Sequence, residues 1–330
     1  MKLTVLGPGC WGLTIAKLLN NNFDEICVWG RKEDLTETLV KEKRLEKPLQ
    51  IQLDSKVEFT SDLKQALTDA EIILLVVSTS GIRSVCEQIK EIGLKDNQIL
   101  VNLSKGIELP SLKRMSEVVL EVLPDIKFAV LSGPTLAREI IEGQPTLATI
   151  ACEDLEVATR VQELLSVPSY FRLYTNTDVV GVELGGSLKN VIAIASGFAS
   201  EMGLGDNLRG SLLTRGMAEM ARVAVALGAK QQTIYGFSGM GDLIATASSP
   251  YSRNYTVGSM IAKGKKIDDI LRDLGSVAEG VKTSKALCEL AKKLGIEAPV
   301  SNAIYEAVYT DITPQQILEK LMNRKLKVED

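Results

Sequence analysis

The chain contains no histidine. The side chain most often used for proton transfer near neutral pH is therefore missing, and acid–base chemistry must fall to a tuned Lys, Asp, Glu, Tyr or Cys. Aromatic residues make up only 5%, and the five cysteines (Cys10, Cys27, Cys86, Cys152, Cys288) are scattered without metal-ligand spacing. This argues against a zinc site and for a reducing cytoplasm, and no metal is expected. Cys10 has nothing nearby to act as its base and is given no catalytic role. There is no basic stripe and the net charge is -4, so nucleic acid is not an expected partner. The longest apolar runs, such as Ile72 to Val77, are of strand length. None approaches the roughly 18 residues that span a bilayer, so no membrane span is expected. The N-terminus runs directly into a strand pattern with no signal peptide, which points to the cytoplasm. What remains is an ordinary globular composition, 45% apolar and 24% charged, over 330 residues, enough for two domains.

The first half alternates strand and helix patterns. Lys2 to Leu6 is a short apolar run, followed by Gly7-Pro8-Gly9-Cys10-Trp11-Gly12 and then the helical pattern Leu13, Ile15, Ala16, Leu18, Leu19. Strand, G-x-G-x-x-G, helix is the dinucleotide-binding arrangement. Gly7 permits the turn, Gly9 lets a pyrophosphate reach the backbone, and Gly12 lets helix and strand pack closely. The second strand, Glu25 to Trp29, ends in Gly30-Arg31-Lys32 rather than in the acid that binds a ribose 2′-OH. A cation there accepts a 2′-phosphate, which favours NADP over NAD as cofactor, against the alternative of a solvated charge run. Further strands are expected at Val57–Thr60, Glu71–Val77, Ile99–Leu103, Lys127–Leu131, Thr146–Cys152 and Tyr170–Tyr174, with Pro48 to Lys56 as a connector and Ser61 as a helix cap. The near-continuous apolar run Glu71–Val77 suits a parallel sheet covered on both faces. Lys105 follows one strand, and Gly133-Pro134-Thr135 follows another, at the strand ends where open α/β sheets bind ligands. A doubly wound dinucleotide-binding domain is expected over 1–178.

From Asp178 strand signals nearly vanish, and an all-α domain is expected over 179–330. Helices are predicted at Leu188–Met202, Leu212–Leu227, Tyr255–Ala262, Ile267–Leu274, Thr283–Leu294 and Asn302–Tyr309, with a last one opened by the capping box Thr313-Pro314-Gln315-Gln316. Gly185-Gly186-Ser187-Leu188-Lys189-Asn190 opens the first of these, so Lys189 lies near a helix start among small and apolar residues. A buried lysine loses proton affinity and can then exchange a proton near neutral pH, although a packed stem with a solvated head is the commoner arrangement. Gly236-Phe237-Ser238-Gly239-Met240-Gly241-Asp242 reads as a glycine-dense loop in which backbone closely approaches something. Its acid either holds the lysine or a substrate hydroxyl, or caps the next helix. Ser252-Arg253-Asn254 offers a hydroxyl, a guanidinium and an amide ahead of a helix, a set that suits a phosphate or a plain helix cap. The long apolar helices also suit a homodimer, although an apolar stripe is more often core than interface.

Taken in order, G-x-G-x-W-G, L-S-G-P-T-x-A, G-V-E-L-G-G-S-L-K-N, G-x-G-D-L and S-R-N resemble the bacterial NAD(P)-dependent glycerol-3-phosphate dehydrogenases, from Lys2 to about Tyr309. The resemblance implies a Rossmann-type N-terminal domain, an all-helical C-terminal domain and a phosphorylated triose bound between them, with the product feeding phospholipid synthesis. By motif, Lys189 would be the proton acceptor, with Asp242 beside it. Lys105, Gly133, Thr135, Lys189, Asp242, Ser252, Arg253 and Asn254 would hold the substrate. Gly7, Gly9, Cys10, Trp11, Gly12, Arg31, Lys105, Ala137, Arg253, Val277 and Glu279 would contact the dinucleotide. The sequence departs from the family pattern at Cys10 and Thr135, where serine is usual, and at Ser78-Thr79-Ser80, which lacks a common proline. A β-hydroxyacid-type dehydrogenase, which can share this layout, and a non-catalytic dinucleotide sensor are the alternative readings.

Overall fold

The computed structural model describes residues 1–274, 278–326 and 328–329. The chain forms two compact units, Met1–Glu183 and Leu184–Asp330. The strands of the first unit are β1 (Lys2–Leu6), β2 (Glu25–Trp29), β3 (Arg44–Leu45), β4 (Ile51–Gln52), β5 (Val57–Thr60), β6 (Ala70–Leu75), β7 (Ile99–Asn102), β8 (Lys127–Ser132), β9 (Thr146–Ala151) and β10 (Phe171–Asn176). Eight of them form one sheet in the order β10-β9-β8-β7-β6-β1-β2-β5, and β3 pairs with β4 as a separate antiparallel ribbon. Part of the expected connector, Ile51–Gln52, is thus a strand.

The apolar runs make two cores by simple alternation. Leu3, Val5, Ile72, Leu74 and Val101 face one layer with Leu13 and Ile15 of the first helix, Cys10–Leu18. Leu6, Ile73, Leu75 and Leu100 face the other, with Ile82 and Val118 from the helices Ile82–Ile92 and Met115–Val122. Each such side chain contributes about 1.5–3 kcal/mol when fully buried. Six strands, β8-β7-β6-β1-β2-β5, are mutually parallel. β9 runs antiparallel to β8, and β10 follows β9 in parallel, so the doubly wound pattern ends at β8. The helix between β8 and β9, Ala137–Ile141, has 5 residues and is roughly 8 Å long. It is too short to recross a strand of about 20 Å, and the chain turns back beside β8 instead. The helix Leu63–Leu67, between β5 and β6, is capped by Asp62, not by Ser61.

The second unit is helical. Its central element, Val179–Glu201, has 23 residues and begins in the first unit, well before the expected start at Leu188. Asp178 caps it by accepting from Gly181 N at 2.8 Å. By length and composition this helix could cross a membrane, contrary to the sequence expectation, but it is buried along its length and is a core helix. Its glycines are used for helix crossings. A Cβ on Gly197 would stand 2.0 Å from the Tyr255 carbonyl, and one on Gly258 1.9 Å from the Ile194 carbonyl. The central helix and the helix Arg253–Ala262 therefore touch backbone to backbone. Gly205–Ala226 follows, and its buried Glu219 accepts from Val300 N (2.8 Å), Ser301 N (3.0 Å) and Ser301 Oγ (2.8 Å), capping Pro299–Tyr309. The last helix, Pro314–Met322, has the expected capping box of Thr313 and Gln316.

Candidate active site

In the first unit the candidate residues lie at the carboxyl ends of the parallel strands. Gly7 has φ +126°, and a Cβ on it would stand 2.9 Å from the Val76 carbonyl. A Cβ on Gly12 would lie 2.0 Å from the Gly7 carbonyl, so this glycine sets the close packing of helix on turn. Gly9 is different. Its backbone (φ −71°, ψ 170°) suits any residue, and a Cβ there would meet no protein atom within 4 Å. Nothing in the fold requires glycine at that point, and the missing Cβ leaves open space beside the backbone. The helix it opens has no side-chain cap and no acid in its first turn, which suits a pyrophosphate. Cys10 and Trp11 stand in that first turn, and both are partly buried. These residues fit a dinucleotide.

Arg31, beyond β2, is 63% exposed, and its charge is already taken up. It donates to Asp34 at 2.8 and 3.0 Å and lies 3.3 Å from Glu33. Lys105, after β7, reaches across to the loop after β8, where Nζ donates to the Gly133 carbonyl (2.8 Å) and to Thr135 Oγ1 (3.3 Å). Gly133 (φ +151°) is needed because a Cβ would press on Ala148 at 2.9 Å. Ala137 opens the short helix that follows. Lys105, Gly133 and Thr135 are therefore brought together, as the motifs imply.

In the second unit Lys189 lies in the middle of the central helix, not at its start, and is buried. Its Nζ donates to Asp242 Oδ1 (2.9 Å) and to Thr246 Oγ1 (2.6 Å), and Thr246 in turn donates to Asp242 Oδ1 (3.1 Å). Burial alone would expel the charge; the carboxylate and the hydroxyl are what let an ammonium remain. The glycine-dense segment before Asp242 is helical rather than a loop: Phe237–Gly241 is a π-helical turn running into Asp242–Ser248. Its glycines serve packing, since a Cβ on Gly185 would lie 3.0 Å from Gly239 Cα, and one on Gly239 1.9 Å from the Ile234 carbonyl. The backbone that this segment approaches belongs to the helix carrying Lys189. Asp242 is the first residue of its helix, not the cap, and its side chain turns to the lysine.

Ser252 caps Arg253–Ala262 by accepting from Tyr255 N at 3.3 Å, and a hydroxyl that accepts there can still donate to a ligand. Arg253 is exposed and, among the described residues, pairs with no acid. Asn254 is buried with both ends of its amide engaged: Nδ2 donates to Asn190 Oδ1 (2.8 Å), and Oδ1 accepts from Gly280 N (3.0 Å). What it offers a ligand is its first-turn N–H. The Asn190–Asn254 bond ties the residue after Lys189 to the residue after Arg253. Glu279 opens the helix Glu279–Leu294, next to Gly280 in the same network. Val277 lies outside the described residues. The motif reading passed over Thr246 and Asn190. Thr246 stands four residues after Asp242 on one helix face, the one signal that would have found it.

The two halves match two adjoining family models. Residues 2–158 match the NAD-dependent glycerol-3-phosphate dehydrogenase N-terminus, and residues 178–319 match its C-terminus. The chain is 42% identical over 333 residues to a glycerol-3-phosphate dehydrogenase [NAD(P)+] of Enterococcus faecalis, covering 100% of this chain and 97% of that one. It is 43% identical over 332 residues to that of Thermobifida fusca, covering 99% and 98%. Among solved structures, glycerol-3-phosphate dehydrogenase from Coxiella burnetii superposes with a TM-score of 0.91 at 30% identity, covering 98% of this chain and 99% of that one. With the glycine turn in one unit and the lysine–aspartate–threonine cluster in the other, the chain belongs to the NAD-dependent glycerol-3-phosphate dehydrogenase family.

Proposed function

We propose that the protein interconverts dihydroxyacetone phosphate and sn-glycerol 3-phosphate with NAD(P)H, and so supplies glycerol 3-phosphate for phospholipid synthesis. The observation that carries the reading is the buried Lys189 ammonium, held by Asp242 and Thr246 in a chain without histidine. When bound, the nicotinamide cofactor supplies the hydride. Gly7, Gly9, Gly12 and the first turn of the helix Cys10–Leu18 hold its pyrophosphate.

In the reductive direction the substrate carbonyl oxygen gains negative charge. The Lys189 ammonium stabilises that charge and donates a proton to the oxygen. In the oxidative direction its amine takes the proton back. Asp242 and Thr246 accept from the ammonium and hold it in place for this exchange. Arg253, with the Ser252 hydroxyl and the helix N-terminus behind it, grips the phosphate. Binding energy from that dianion orients the reacting carbon. Lys105 bridges the loops after β7 and β8 and contacts both substrate and cofactor.

The cofactor is NAD or NADP. Arg31 favours the 2′-phosphate of NADP, and Asp34 and Glu33 compete for the same guanidinium. The protein works as a homodimer in the cytoplasm. The test is NAD(P)H oxidation with dihydroxyacetone phosphate as the sole acceptor. Turnover with that triose, and none with a carboxylate keto acid, is expected; the reverse order would assign the protein to the β-hydroxyacid type.

A further inference from the structure

The loop after β7 carries Lys105 and must then reach the helix Met115–Val122. On the way Leu112 takes φ 61°, a left-handed conformation that residues with a Cβ avoid. Such a residue persists only where its surroundings over-determine it. Glu108 provides that determination. Its carboxylate accepts from Arg83 Nε and Nη2, both at 2.9 Å, and from Ser111 Oγ at 2.5 Å. Its backbone N–H donates to the Lys113 carbonyl, and its carbonyl accepts from Leu112 N, both at 2.9 Å. Arg83 belongs to the helix Ile82–Ile92, and Glu121 binds Arg83 (3.1 Å) and Lys113 (2.6 Å) from the far side. The Glu108 side chain is only 15% exposed, so its two-pronged pair with Arg83 is shielded from bulk water.

Before Lys105 the chain is pinned as well. Asn102 brackets Ser104 by accepting from its N–H (3.1 Å) and donating to its carbonyl (2.9 Å), and Ser104 Oγ donates to the Val77 carbonyl (2.6 Å). The lysine therefore leaves a segment fixed on both sides. The earlier anchor lies within the sheet edge itself. The later one joins backbone bonds from Glu108 to Leu112 and Lys113 with one side-chain anchor to a neighbouring helix, the Glu108 carboxylate on Arg83.

We propose that Glu108, through its pair with Arg83, is a positioning residue for Lys105 that holds the loop in the one conformation presenting the lysine to cofactor and substrate. The inference rests on the binding role proposed for Lys105. A loop ordered in advance spares the binding step the cost of ordering it, so the effect falls on affinity and not on the chemical step. Glu108→Gln keeps the shape and removes the charge. It should weaken NADPH binding and raise KM for dihydroxyacetone phosphate by about two- to tenfold, the range expected for leaving one side chain unordered. The kcat at saturation should stay within about twofold.

The deciding experiment is a double-mutant cycle with Lys105→Ala, read by fluorescence titration of NADPH, which needs no substrate, and in parallel by KM. If Glu108 acts through Lys105, Glu108→Gln weakens binding in the wild-type background and adds nothing in the Lys105→Ala background. Equal weakening in both backgrounds, or none in the wild type, overturns the proposal. So does a Lys105→Ala variant that moves neither readout. Arg83→Gln removes the same pair from the other side and replaces Glu108→Gln if that variant does not fold. A wild-type protein that binds NADPH but leaves dihydroxyacetone phosphate untouched would overturn the proposed reaction, and the titration would still decide this point.

Discussion

Asp242→Asn keeps the shape of the side chain beside Lys189 and removes its charge. Lys189 and Asp242 are both buried, with side chains 7% and 2% exposed, and their charged atoms are 2.9 Å apart. Breaking one side of a buried ion pair leaves the other charge uncompensated, at a cost of about 3–5 kcal/mol. For a domain of this size that lowers the melting temperature by roughly 10 °C. The lysine escapes the cost by releasing its proton, and then has none to donate in the reductive direction. The kcat for dihydroxyacetone phosphate should therefore fall by about a hundredfold or more. The double variant Lys189→Met/Asp242→Asn separates the two effects. With no charge left to strand, it should recover most of the lost stability while remaining inactive. Calorimetry with NADPH-oxidation kinetics on the three proteins is the assay. A single variant that melts within about 2 °C of wild type and turns over within several-fold of it would refute the reasoning, as would a double variant less stable than the single.

Arg253→Ala should raise KM for dihydroxyacetone phosphate by about ten- to a hundredfold, the worth of a charge-assisted hydrogen bond, and should change unphosphorylated dihydroxyacetone far less; equal effects on both would remove the phosphate grip. Gly9→Ala should melt like wild type, since its Cβ meets no protein atom within 4 Å, yet bind NAD(P)H poorly, whereas Gly12→Ala should lose stability because its Cβ would lie 2.0 Å from a carbonyl. Calorimetry beside cofactor titration checks both glycines. Asp34→Asn, which takes from Arg31 a competing carboxylate at 2.8 Å, should lower KM for NADPH relative to NADH; an unchanged ratio would show that Arg31 does not read the 2′-phosphate. Glu108 is held ionised below its ordinary value of 4.5, chiefly by the hydrogen bonds from Arg83. Its stabilising effect is thus present above the ordinary carboxylate range and is lost as pH falls through the depressed folded-state value. The difference in melting temperature between wild type and Glu108→Gln should be full at pH 7 and shrink only in acid; a difference that persists at the lowest pH would contradict this.

Much of the first unit was legible because buried parallel strands must be apolar on both faces. The run Ile72 to Leu75, strand-length and set among alternating helical patterns, fits such a strand. Strand direction carries no such signal, and the reversal at β9 followed from a helix too short to cross the sheet. In the second unit glycine misled. Gly185-Gly186 and Gly236 to Gly241 resemble breaks, since each interior glycine costs a helix about 1 kcal/mol. Gly185-Gly186 and Phe237 to Gly241 are nonetheless helical, because Gly185 and Gly239 give up a Cβ to let another backbone come within contact, and that packing outweighs the propensity. Lys189 could be picked out without knowing where its helix began. Thr246 left only a faint trace, its spacing of four residues from Asp242 on one helix face, and that spacing alone does not say that the lysine reaches it. Asn254 shows the opposite case: a residue chosen for its motif proves to spend its side chain on joining three helices.

The crossing at Gly197 and Gly258 leaves no side chain that could yield between the two helices. The lysine and the arginine are thereby mounted on a single stiff frame, locked a second time by the Asn190–Asn254 bond. Domain movement can carry that frame about but cannot stretch it. If one end of the substrate meets the lysine and the other the arginine, the frame works as a gauge of fixed span. It accepts a phosphate set at one distance from the reacting oxygen and leaves a ketone one carbon longer unable to reach both.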